Sequence, residues 1–218
     1  MRMKFDEQLA RLNNELVEMG KRVERAIADA NRAFISQDTE LAREVISSDD
    51  DIDTMEKDIE SLCLKIILQQ QPVASDLRFV SSILKFITDL ERIGDHATDI
   101  SNISMSLAKI KYGVEMGYIS QMAEATIKMV TDSVNAFVNR DADLARSVID
   151  DDDKVDALFK KTKKTLISLV HENADYGDQA FDLILIAKYF ERIGDHATNV
   201  AEWVLFSLTG AHKNIQIM

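Results

Sequence analysis

The sequence predicts an all-α protein made of two tandem antiparallel three-helix bundles, the second a copy of the first. Three observations carry this. The 218 residues include one proline, Pro72, and seven glycines, while Leu, Ala, Ile, Lys and Glu abound, so helix formers far outnumber breakers. Apolar residues recur at steps of three and four, the helical period, rather than two. The phrase ERIGDHAT stands at 91–98 and again at 191–198, the mark of an internal duplication.

The duplication extends well beyond that phrase. Shifted by 103 residues, FISQDTELAREVISSDDDID at 34–53 lies on FVNRDADLARSVIDDDDKVD at 137–156. Phe34 falls on Phe137, Asp38 on Asp141, and Asp49, Asp50 and Asp53 on Asp152, Asp153 and Asp156. ERIGDHAT follows at an offset of 100, so the second copy loses three residues between helices, around QQQPVAS (69–75) and ENADYG (172–177). The expected repeats are 1–112 and 113–218, joined near Tyr112 to Gly117.

Each repeat divides into three helical stretches. Phe5, Leu9, Leu12, Leu16, Met19, Val23, Ala26, Ala30 and Ala33 step by four and three, the seam of a helix packed nearly parallel to its neighbours. Ser36 to Asp38 offer caps for a second helix from Thr39 to about Gln70, and Ser and Asp residues at SSDDD (47–51) could restart it there. Pro72 marks a turn. A third helix runs from about Asp76 to Ile110, with Val80, Ile83, Leu84, Ile87, Leu90, Ile93, Ala97 and Ile100 facing inward.

Charge and sequence texture limit the function. Acidic residues number 38 against 26 basic, a formal net charge of −12, which repels nucleic acid and anionic lipid and favours cations or basic protein surfaces. The N-terminal stretch lacks the unbroken apolar core of a signal peptide, and no apolar run approaches the roughly 20 residues that span a bilayer. Cys63 stands alone and cannot form an internal disulfide. A cytoplasmic protein without membrane insertion is the expectation.

The acidic residues form stripes. Positions four apart lie about 40° from each other on a helix, so Glu91, Asp95 and Asp99 share one face, with Ile93, Ala97 and Ile100 turned the other way. Asp49 and Asp53, with Glu56 and Glu60, share a face of the second helix opposite Met55, Ile59 and Leu62. In an antiparallel hairpin, residues equidistant from the turn are level. Asp49/Asp53 and Glu91/Asp95 are equidistant from Pro72, and Asp152/Asp156 and Glu191/Asp195 centre on the turn at Ala174. Like charges four apart cost a helix about 0.2–0.5 kcal/mol per pair, and level stripes add to that. Hard cations such as Mg²⁺, Ca²⁺ and Mn²⁺, or iron with bridging carboxylates, would offset the repulsion, with His96 and His196 as possible nitrogen ligands. The alternative is a solvated acidic face paired with Arg92 and Arg192.

Gly94 and Gly194, each costing about 1 kcal/mol relative to Ala, lie beside the inward face and suit close helix approach. Catalytic readings find little support. No His lies three residues after an acid, as helical di-iron oxidases require, and there is no phosphate loop, no HExxH and no nucleophile paired with a base. Cys63 sits in the apolar run LCLKIIL. The chain is expected to be no enzyme. The competing readings are a carboxylate-metal enzyme and a purely structural helical adaptor without metal.

The duplication, DLR at 76–78, both copies of ERIGDHA and the closing AEWVLFSLTG at 201–210 together resemble the PhoU family of bacterial phosphate-transport regulators. The resemblance implies paired three-helix bundles, often dimeric, whose acidic motifs hold metal clusters. It also implies negative regulation of the phosphate-starvation response through the ATPase of the phosphate ABC transporter and a sensor histidine kinase. The implied metal residues are Asp49, Asp53, Glu91 and Asp95 in one repeat and Asp152, Asp156, Glu191 and Asp195 in the other, for iron, zinc, manganese, magnesium or calcium. The next position is Asn199 in the second copy, as in the family, and Asp99 in the first, which adds a carboxylate to one site. DQA at 178–180 replaces DLR, so the two bundles need not meet partners alike.

Overall fold

The computed structural model describes residues 2–73, 75–108, 117–212 and 215–216. Six long helices dominate: α1 Arg2–Ser36, α2 Thr39–Gln70, α3 Ser75–Leu107, α4 Gly117–Asn139, α5 Ala142–Glu172 and α6 Gly177–Thr209. A 3-10 turn spans Ala174–Tyr176, and two-residue strands β1 (Ala211–His212) and β2 (Ile215–Gln216) pair after α6. No helix among the described residues is long and apolar enough to cross a membrane.

The two repeats turn corners with the same chemistry. Asp38 caps α2, its carboxylate accepting from the amides of Glu40 at 3.0 Å and Leu41 at 3.1 Å, and Asp141 caps α5 through Asp143 and Leu144 at 3.0 and 2.9 Å. Each cap satisfies amides that the first helical turn leaves without partners. Just before each cap, Gln37 (φ 54°) and Arg140 (φ 55°) occupy the left-handed region. The Gln37 and Asp38 amides donate back to Phe34 and Ala33, and those of Arg140 and Asp141 to Phe137 and Ala136, which is the Schellman closure of a helix end. Glycine would take this conformation more cheaply, but both side chains have other work. Gln37 Nε2 donates to the Leu107 carbonyl at 3.1 Å, and the Arg140 guanidinium lies 4.8 Å from the centre of the Phe79 ring.

One expectation about helix limits changes. α2 does not break at SSDDD, because the hydroxyls of Ser47 and Ser48 donate to the carbonyls of Glu44 and Val45 within the same helix instead of capping a new one. α3 is described to Leu107, whose carbonyl is received by Gln37, and its expected end at Ile110 lies outside the described residues. Of the expected repeat junction at Tyr112 to Gly117, residues 112–116 lie outside the described residues, and Gly117 begins α4.

α1 packs against α2 and α3, and α4 against α5 and α6, giving a three-helix bundle in each repeat. The α1 seam is buried as its spacing predicts from Leu12 to Ala33, with Phe5 and Leu9 partly covered. The bundles are fused rather than merely linked, since α3 also packs on α6 and α1 on α4. Phe79 stacks on Phe137 at 5.0 Å and Phe86 meets the same ring at 4.7 Å, so one apolar core runs through both repeats. Arg78 Nε donates to the Ser207 carbonyl at 3.1 Å, and Asp89 meets His196 further along, so α3 and α6 run antiparallel.

Candidate metal centres

In the first repeat, α2 supplies Asp49 and Asp53 and α3 supplies Glu91 and Asp95. Oxygens of Asp53, Glu91 and Asp95 lie within 4.8 Å of one another, a spacing that a single cation can bridge. Gly94 makes the approach possible. A Cβ there would stand 3.0 Å from Ile52 Cδ1 and 3.7 Å from Asp49 Oδ1. At Gly194 the nearest atom to such a Cβ is the Asp152 carboxylate oxygen, at 3.1 Å, with Val155 Cγ1 at 3.5 Å. The glycines therefore serve helix packing and also leave room for one acid of each cluster.

That close packing puts the acids in a half-buried cleft between helices rather than on a freely solvated stripe. The Glu91 side chain is only 16% exposed. Burial, Asp95, and the weaker influences of Glu56 and Asp53 push its carboxyl up to about 7 against the opposing pull of Arg92. Its Oε2 is buried without a hydrogen-bond partner, with Arg92 Nε at 3.4 Å. Arg92 turns its other end to Asp95 at 2.8 Å, and Lys57 stands 3.6 Å from Asp53. Asp49 is also raised, by burial and then by Asp95, although it accepts a hydrogen bond from Thr98.

The second cluster has the same acids in a different setting. Burial pushes Asp152 up to about 6, helped by Asp195, Asp156 and Glu191, and Asp195 rises through burial and Glu191. Thr198, the counterpart of Thr98, has its hydroxyl oxygen buried with no partner. Lys188 pairs with Glu191, and Lys160 with Asp156 at 3.2 Å. In both clefts the cations come from the rim, and the acids are partly buried except Asp195, which is exposed. In the first cleft a buried oxygen with no donor, three oxygens in reach of one point and raised carboxyls together suit a hard or borderline divalent ion, which would replace the proton. Among the described residues the second cleft shows raised carboxyls without that three-oxygen grouping.

Asp99, Asn199 and the histidines turn to the seam between α3 and α6 instead. Asp89, on α3, accepts from His196 Nδ1 at 2.8 Å, Asn199 Nδ2 at 3.3 Å and Trp203 Nε1 at 3.3 Å, all on α6. Asp99 is hydrogen-bonded to Tyr189 and has His96 Nδ1 at 3.7 Å. The His96 and His196 rings stand 5.5 Å apart, and burial followed by the neighbouring His196 holds the His96 imidazole below its usual range. Sequence reasoning passed over Asp89, Tyr189 and Trp203. The usable signal was a mismatch between repeats, since Asp89 aligns with Tyr189 two residues before the phrase ERIGDHAT that the repeats share.

The fold and its clefts define a duplicated helical protein with an acidic cleft in each repeat and an asymmetric seam between them. The sequence model of the PhoU domain matches residues 16–104 and 119–204, one match per repeat, and the chain belongs to the PhoU family. It is 38% identical over 212 residues to the phosphate-specific transport system accessory protein PhoU homolog of Clostridium acetobutylicum, covering 97% of each chain. The crystal structure of PhoU from Pseudomonas aeruginosa superposes with a TM-score of 0.91 at 35% identity, over 95% of this chain and all of that one. The phosphate transport system regulatory protein PhoU from Streptococcus pneumoniae superposes at 0.89 with 28% identity, over 95% of this chain and 98% of that one.

Proposed function

We propose that this chain is a non-enzymatic regulator of phosphate transport and homeostasis that represses the phosphate-starvation response. It acts in the cytoplasm, as a homodimer, through protein contacts with the ATPase subunit of the phosphate ABC transporter and a sensor histidine kinase. Full-length similarity to proteins named as accessory or regulatory components of phosphate transport carries this reading. Metal ions occupy the clefts formed by Asp49, Asp53, Glu91 and Asp95 and by Asp152, Asp156, Glu191 and Asp195. The buried, undonated oxygen of Glu91 and the 4.8 Å grouping with Asp53 and Asp95 are the observations behind that part. The metal braces α2 against α3 and α5 against α6 and sets the shape that partners meet.

Deleting the gene tests the regulatory reading. Phosphate-scavenging genes should become strongly expressed in phosphate-rich medium, as read by transcript abundance. Expression that stays repressed would contradict it.

A further inference from the structure

Below the second acid cluster, the outer faces of α5 and α6 open into a groove of about 600 Å³. Lys163, Ile167, Val170 and His171 line it from α5, and Phe181 and Ile184 from α6. Ile167 and Phe181 are 60% and 62% exposed, although each presents a large apolar side chain to water. Lys163 and His171 are the only ionisable residues in the lining, and no carboxylate contributes to it. This is a local reversal in a chain of net charge −12. Of the exposed lysines on these turns of α5, Lys160 shares the side of Lys163, whereas Lys161 faces Tyr118 of α4 and Lys164 lines a separate hollow with Glu172. Lys160 is anchored by Asp156, which holds one cation beside the groove next to Lys163.

The first repeat is the internal control. Its α2 exposes Leu64 and Leu68 where α5 has Ile167 and His171, so an apolar surface is present there too. The residues aligned with Lys160 and Lys163 are Lys57 and Glu60, which leaves that rim without excess positive charge. The duplication thus kept apolar character at both hairpin ends and changed the charge at one.

We propose that the α5/α6 groove is a docking site for an acidic amphipathic helix of a partner protein. A cleft between two helices receives a third through apolar anchors spaced i, i+3, i+4 and i+7. Phe181 and Ile167 supply the aromatic and branched surface on which such anchors gain most of their energy. Lys163 and its neighbours select acidic flanks and speed encounter. An anionic bilayer is flat and would bring its charge against the acid cluster on the adjoining turns of α5 and α6 as well as against the lysines, whereas a single helix seated in the groove can turn its acids to Lys163 and away from that cluster. The inference rests on the reading that the chain acts through protein contacts. The two fail separately, because the deletion strain reports on regulation and the titration below reports on the groove.

The probe is a fluorescent helical peptide of about 18 residues, with leucines at i, i+3, i+4 and i+7 and glutamates elsewhere. Its lysine-for-glutamate counterpart is the control. Anisotropy titrations with the full chain should show salt-sensitive binding of the acidic peptide. Phe181→Asp, Ile167→Asp and Lys163→Glu should each weaken it by at least about tenfold, and Leu68→Asp in the first repeat should leave it unchanged. The mutated side chains are exposed, and circular dichroism melting confirms that the variants fold. Absent binding, equal binding by wild type and groove variants, or preference for the basic peptide would overturn the proposal. So would loss of self-association on Phe181→Asp, which would assign the groove to a second copy, or loss of adsorption to phosphatidylserine vesicles, which would assign it to lipid.

Discussion

Glu91 concentrates the physical tension of the molecule. Its carboxyl is mostly buried, faces Asp95 and Asp53, and keeps one oxygen without a donor. Its proton is therefore held more tightly in the folded state, with the carboxyl raised from the ordinary 4.5 to about 7, and Asp152 is raised from 3.8 to about 6. A raised acid contributes stability that is present at low pH and lost as the pH climbs through its folded-state value. Between pH 5 and pH 7.5 the melting temperature of metal-stripped protein should therefore fall further, or rise less, than that of Glu91→Gln. The opposite contribution of the lowered His96 cancels in that comparison, and most of the Glu91 share is lost between pH 4.5 and 7. Saturating Mn²⁺ at pH 7.5 should restore the midpoint by taking the place of the proton. Glu91→Gln should flatten the first cluster's part of the profile, and identical pH profiles for the two proteins together with indifference to Mn²⁺ would count against this account of the clefts. The acids themselves were visible in the sequence through four-residue spacing. Their burial was not, because a stripe drawn on one helix does not show how closely a glycine lets the next helix approach.

At the scale of the helices, the seam between α3 and α6 depends on a residue that breaks the repeat. Asp89 accepts three donors from α6 and is 15% exposed. Asp89→Ala would leave His196, Asn199 and Trp203 without that acceptor in a low-dielectric seam. The expected loss is roughly 2–4 kcal/mol in urea unfolding, and a loss below about 1 kcal/mol would show that the seam is set by apolar contacts alone. Helix identity and phase were legible throughout, because the steps of four and three from Leu12 to Ala33 and from Val80 to Ile100 are unambiguous. Helix continuity at SSDDD was not. Ser and Asp serve equally well as caps and as back-bonded interior residues, and tertiary packing chooses between them. Gln37 and Arg140 likewise gave no sign of left-handed backbone, since glycine is the residue that signals it.

At the scale of the whole chain, duplication produced two bundles and divergence made them unequal. The sequence showed the copies, but the merging of their cores through Phe79, Phe86 and Phe137 was hidden, since helical period identifies a buried face without naming what buries it. The two acid clusters now sit on the α2/α3 and α5/α6 hairpins, outside the shared core and on either side of the Asp89 seam. One is rimmed by Arg92 and the other by Lys188 and Lys160, so equal metal affinity is not required of them. The central claim is that these clefts hold metal, and elemental analysis of untagged protein beside an Asp95→Asn, Asp195→Asn double variant tests it most directly. The wild-type chain should carry divalent or iron-group metal in stoichiometric amount, and the double variant should lose most of it. Equal and negligible metal in both would contradict the claim.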